Sequence, residues 1–179
     1  MLEIENCSLV VIDVQGKLAS LMYEKELLFK NLQILVKAAK LLNIPILLCQ
    51  QVPDSLGSTI PEIAELISDI EPINKSSFSC FRDDQFEIKL NQIKRSQILI
   101  CGIETHVCIY QTAIDLLRNG FYVNVIADAV SSRTRENKEI ALNRISSEGV
   151  KISSVEMTLF ELLKNAKHPN FKEIAKLIK

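Results

Sequence analysis

The chain has 179 residues, 47% of them hydrophobic and 24% charged, with a formal net charge of -1. That length suits one domain with a substantial core, and the balance is that of an ordinary globular protein. It excludes a broad basic field for nucleic acid, and no apolar run approaches the ~20 residues that a membrane span needs.

Met1-Leu2-Glu3-Ile4-Glu5-Asn6 is acidic where export and transit segments are basic. Ser8 to Val14 is nearly all apolar and β-branched, as a strand covered on both faces would be. Leu28, Leu32, Leu35, Ala39 and Leu42 then recur on one helical face. After Pro45, Ile46-Leu47-Leu48-Cys49 predicts a second buried strand. Pro61 opens a short helix through Ile63, Leu66 and Ile67. Glu71 to Asn74 is a third strand, and Phe86 to Ile93 a helix. Ile98 to Cys101 is the fourth strand. Val107 to Leu117 is the next helix, closed by Asn119-Gly120 as a C-cap pair. Phe121 to Ile126 is the fifth strand, Asn137 to Ser146 a helix ended by Gly149, Val150 to Ser153 the sixth strand, and Met157 to Leu163 a helix.

Strand and helix alternating this regularly predicts right-handed crossovers. The expected fold is α/β, a single-domain three-layer α/β/α arrangement over residues 1–179 with a six-stranded mostly parallel sheet. Residues 170–179 form a short helical tail in which Phe171, Ile174, Leu177 and Ile178 share one face. It packs on its own domain or on a neighbouring subunit.

Ligands of open α/β sheets bind beyond the carboxyl ends of the strands. Asp13, Lys75 and Cys108 follow the first, third and fourth strands, so all three fall on that rim. Each has a bland alternative: a turn residue, a solvated lysine, an inert buried thiol. Together they suit nucleophilic chemistry. A thiol titrates near ~8.5 and needs help to ionise at neutral pH. A carboxylate can take its proton and return it to a leaving group, and an ammonium keeps that carboxylate charged. Cys108 falls in the opening turn of a helix, whose aligned N–H groups favour a thiolate, with Thr105 placed as the cap. The N–H groups of that turn can hold an oxyanion.

The segments Val11-Ile12-Asp13-Val14-Gln15, Lys75-Ser76-Ser77-Phe78-Ser79 and Gly102-Ile103-Glu104-Thr105-His106-Val107-Cys108-Ile109 resemble those of the isochorismatase-like cysteine hydrolases. The likeness spans nearly the whole chain. The tail His168-Pro169-Asn170-Phe171-Lys172-Glu173-Ile174 and the run Leu56-Gly57-Ser58-Thr59-Ile60-Pro61-Glu62 look closest to the isochorismatase domain-containing branch. The resemblance implies a Rossmann-like isochorismatase-like hydrolase fold, with Asp13 as general base, Lys75 as its partner and Cys108 as nucleophile. It implies oxyanion donors on the backbone of Glu104 and Cys108, a cis peptide at Ile103–Glu104, and assembly as a homo-oligomer. Nicotinamidases carry a metal-binding Asp-x-His after the second strand. Here that region reads Cys49-Gln50-Gln51-Val52-Pro53, and the only histidines are His106 and His168. No metal site and no cofactor are therefore expected. Enzymes acting on isochorismate lack the cysteine, so Cys108 points to amide, imide or related carbonyl substrates.

Gln15, Phe78, Phe81, Ile103 and Thr105 are candidate pocket residues, the two phenylalanines alternatively anchoring their loop. Cys7, Cys49 and Cys101 sit in apolar runs and are expected in the core, while Cys80 is expected exposed on a loop. Arg133, Arg135 and Lys138 are interrupted by Glu136 and Glu139, which predicts a solvated helix face. Five cysteines at irregular spacing predict free thiols in a reducing, cytoplasmic setting rather than a disulfide framework. The expected partner is a small-molecule substrate, with neither nucleic acid nor membrane. A binding or scaffold member of the same fold is the alternative. A phosphoacceptor receiver would need an acceptor aspartate where this chain has Asn74-Lys75, and is set aside.

Overall fold

A computed structural model describes residues 1–179. In chain order the elements are β1 (Cys7–Ile12), α1 (Gly16–Ser20), α2 (Lys25–Leu41), β2 (Ile46–Gln51), α3 (Pro53–Leu56), α4 (Pro61–Ala64), β3 (Ile73–Lys75) and α5 (Asp84–Ile93). These are followed by β4 (Gln97–Ile103), a π-helical turn (Thr105–Ile109), α6 (Tyr110–Arg118), β5 (Tyr122–Ser131), α7 (Arg135–Ser147), β6 (Lys151–Ser153), α8 (Val155–Leu163) and α9 (Phe171–Ile178).

All six strands lie parallel in one sheet of order β3-β2-β1-β4-β5-β6. Alternate residues of the central strands enter opposite layers, as the two-residue period of a strand requires. Leu9 and Val11 of β1, with Leu99, Cys101 and Ile103 of β4, pack in the layer that holds α2, α8 and α9. Val10 and Ile12, with Ile98 and Ile100, pack against α5 and α6. Both faces are thus covered, which is why β1 is buried throughout. Helix α9 packs on α2 and α8, with Ile174 buried and Phe171, Leu177 and Ile178 partly so. The tail therefore packs on its own chain.

The strand order reverses between β1 and β4, whose chains leave the sheet in opposite lateral directions and open a crevice between their carboxyl ends. Ile12 pairs with Gly102 at that edge. Gln51 pairs with Lys75 at the matching end of β2 and β3. The register thus brings the ends of four strands to a single rim.

Element ends differ from the sequence expectation in a physically readable way. The third strand is displaced toward Lys75, because its end is set by pairing with Gln51. The fifth continues to Ser131, five residues past the expected end, because Val130 and Ser131 pair with Gly102 and Ile103 after a register shift in the ladder. The expected helix beginning at Val107 is a π-helical turn that leads into α6.

Candidate active site

Asp13 is the first residue past β1. Its backbone is left-handed (φ 53°), a conformation aspartate tolerates better than most residues, and the chain turns there from the sheet edge. Lys75 is the last residue of β3 and is buried. Its Nζ donates to Asp13 Oδ2 at 2.8 Å, Gln51 Oε1 at 2.6 Å, and the carbonyls of Ser77 and Phe78 at 3.2 and 3.3 Å. The buried ammonium is therefore fully hydrogen-bonded. Gln51 is a site residue that the sequence reading passed over, since glutamine has no titratable signal and ends an ordinary strand.

Cys108 lies in the π-helical turn, a rare local winding that is frequent at functional sites. With Asp13 it lines a cavity of about 110 Å³, walled also by Leu18, Gln51, Leu56, Phe78, Ile103, Glu104 and Val107. The Ile103–Glu104 peptide is cis. The Glu104 N–H donates to no acceptor within the protein, while the Glu104 carbonyl accepts from the N–H groups of Val107 and Ile109 at 3.0 and 3.2 Å.

Burial is the largest influence on all three titratable groups. It pushes the Cys108 thiol well above the ordinary thiol range, and the Asp13 carboxylate adds to this against the opposing Lys75 charge. The expectation of a favoured thiolate is thereby corrected: desolvation and a neighbouring anion outweigh the helix-start effect. Burial also raises the Asp13 carboxyl, with Lys75 and the Cys108 thiol pulling the other way. Burial works against the Lys75 charge, but Cys80, Asp13 and Cys108 around it reverse this and hold it above the usual lysine range. At rest the Cys108 thiol therefore keeps its proton and Lys75 its charge. Asp13 Oδ1 has no partner among buried groups, while Oδ2 is taken by Lys75.

Other expected positions divide. Ile103 and Phe78 do line the cavity, Phe78 with 54% of its surface exposed at the rim. Gln15 is buried outside the cavity wall. Its amide donates to the carbonyls of Gln51 and Gly57 at 3.1 and 2.6 Å and accepts from the Gln51 N–H at 2.6 Å, so it fastens the loops after β1 and β2 together. Phe81 turns instead to Phe121, ring centroids 6.1 Å apart, and anchors its loop. Thr105 is buried, off the cavity wall, with no partner for its hydroxyl. Glu104 rather than Thr105 occupies the cap position, and no side chain caps the turn. Cys80 is buried, not exposed, because its N–H donates to Thr112 Oγ1 at 2.9 Å and draws the loop onto α6. Cys7, Cys49 and Cys101 are buried as expected. Arg135 pairs with Glu139 at 2.7 Å on the exposed face of α7, while Arg133, also exposed, precedes that helix and reaches Glu104 at 3.1 Å.

The family profile described as Isochorismatase domain matches residues 7–157. The chain belongs to the isochorismatase family. Isochorismatase domain-containing protein 2 of Danio rerio is 38% identical over 170 residues, covering 95% of this chain and 85% of that protein. The secreted isochorismatase effector Isc1 of Phytophthora sojae is 41% identical over 175 residues, covering 96% of this chain and 83% of the effector. Among solved structures, the MAR1 ribonuclease of Caenorhabditis elegans superposes with a TM-score of 0.92 at 35% identity, over 99% of this chain and 91% of that one. The family's fold, a parallel sheet covered by helices on both faces, is the one seen here, and its members are isochorismatase-like hydrolases. No helix is long and apolar enough to cross a membrane.

Proposed function

We propose that this protein is a cysteine hydrolase of small amides, imides or related carbonyl compounds, with Cys108 as nucleophile, Asp13 as general acid–base and Lys75 as the charge that keeps Asp13 ionised. One observation carries the reading. A thiol and a carboxylate share one small cavity, and that carboxylate is held at 2.8 Å by a buried ammonium. A purely structural cysteine has no use for such neighbours, since burying two charges costs several kcal/mol unless they are paired and hydrogen-bonded.

The chemistry follows from the proton positions. Because the thiolate is disfavoured at rest, the Cys108 sulfur attacks the carbonyl carbon as its proton passes to Asp13 Oδ1. The new oxyanion is held by the N–H groups of Glu104 and Cys108. The tetrahedral adduct collapses as the C–N bond breaks, and Asp13 returns the proton to the departing nitrogen. Water then gives a proton to Asp13 and adds to the thioester. Loss of the acid breaks the C–S bond, and the thiol regains its proton. A raised carboxyl pKa serves both halves, since a general acid–base works best with a pKa near the operating pH. The cavity of about 110 Å³ sits well below the ~300 Å³ at which pockets admit drug-sized ligands, so the substrate is small. Five unpaired cysteines support the reducing, cytoplasmic setting.

Screening small amides by mass spectrometry tests the assignment. The expected result is one acyl adduct per chain, mapped to Cys108, and loss of turnover in Cys108→Ala by on the order of 10³-fold or more. An alanine variant that retains full turnover, or RNA cleavage that ignores the substitution, overturns it.

A further inference from the structure

The Glu104 side chain runs from the oxyanion turn to the segment that follows β5. Its Oε2 accepts from the Arg133 N–H at 3.0 Å and from Arg133 Nε at 3.1 Å. A second tie joins the same two segments, His106 Nδ1 lying 3.0 Å from Ser132 Oγ. At its other end, Glu104 is held through its carbonyl by the N–H groups of Val107 and Ile109. The residue whose N–H stands free is thus gripped from both sides.

Charge makes the grip more than mechanical. The Glu104 side chain is 9% exposed, that of Arg133 57%. A nearly buried carboxylate beside a developing oxyanion is repulsive, and the low polarity of the surroundings strengthens the repulsion. The guanidinium is the one cation paired with it.

We propose that Arg133 is a positioning residue of this site: it fixes the oxyanion turn through Glu104 and neutralises the carboxylate that would otherwise oppose charge on the substrate oxygen. The proposal rests on the reading of Cys108 as nucleophile and of the Glu104 N–H as an oxyanion donor.

Two reagents that modify the same sulfur separate this role from a structural one. p-Nitrophenyl acetate acylates a thiol through an anionic tetrahedral adduct and releases p-nitrophenolate. Iodoacetamide forms its C–S bond at a saturated carbon as iodide leaves, with no oxyanion. With adducts at Cys108 quantified by peptide mass spectrometry, Arg133→Ala is expected to slow acylation on the order of tenfold while leaving alkylation within about twofold. Combining it with Glu104→Gln, which removes the uncompensated charge, is expected to recover part of the acylation rate. Unchanged acylation in Arg133→Ala overturns the proposal, as does a parallel fall of both reactions, the mark of a loosened fold. If neither reagent modifies Cys108 in the unsubstituted protein, the hydrolase reading goes, and this proposal goes with it.

Discussion

At Cys108 the question is which of two opposed effects governs the sulfur. A helix-start position favours the thiolate by a modest amount, typically ~0.3–1 kcal/mol. Desolvation and the Asp13 charge act the other way and prevail, so the thiol keeps its proton. Asp13 in turn is raised by burial, less what Lys75 and the thiol take back. The pH dependence follows with a definite sign. Reaction needs Asp13 as the base, so the rate rises with pH through a carboxyl pKa above the ~3.9 of a free aspartate. It then stays level across neutrality, because no thiol ionisation intervenes near ~8.5. Iodoacetamide labelling of Cys108 measured against pH checks this, and Asp13→Asn is expected to slow labelling by about 10²-fold or more. A rate that climbs with ordinary thiol ionisation contradicts the assignment. Asp13, Lys75 and Cys108 were legible as residues because each closes an apolar strand or opens the next element. Gln51 and Arg133 were not, since their roles depend on which strand and which loop lie alongside.

Among elements, the contact between β1 and β4 decides the site, because one strand delivers Asp13 and the other leads to the Cys108 turn. Gly102 permits their approach. It has φ 117°, and a Cβ there would sit 2.1 Å from the Ile12 carbonyl oxygen and 2.7 Å from its nitrogen. Both atoms are backbone, so nothing flexible can yield. Gly102→Ala is expected to destabilise the fold by about 3 kcal/mol or more, at the upper end of single substitutions. Urea denaturation measures that loss, and Cys108 acylation is expected to slow as the crevice is forced open. An alanine variant as stable as the parent would mean the strands can part without consequence. The strands themselves were readable from apolar, β-branched runs, yet their ends were not. The ends of β3 and β5 are set by the partner strand, and pairing partners are not written locally.

Over the whole molecule, α9 closes one face of the sheet against α2 and α8. Its anchor, Ile174, has no exposed surface. Ile174→Ala is expected to cost about 2–4 kcal/mol by urea denaturation. Because this layer lies on the opposite face from α6, the substitution should leave Cys108 labelling in the folded protein unchanged. A change in both would show the two layers coupled. Alternation of strand and helical period was enough to indicate a parallel sheet with helical crossovers, and right-handed crossovers winding in both directions from the β1–β4 centre place helices on both faces. It also placed a carboxylate, an ammonium and a thiol, Asp13, Lys75 and Cys108, just past strand ends on the same side of the sheet. Tertiary structure alone decided the rest: that the thiol rests protonated, that Gln15 and Phe81 brace loops, that Cys80 is buried, and that Arg133 meets Glu104. Those outcomes depend on desolvation and on contacts between segments far apart in the chain, and neither is encoded in local periodicity.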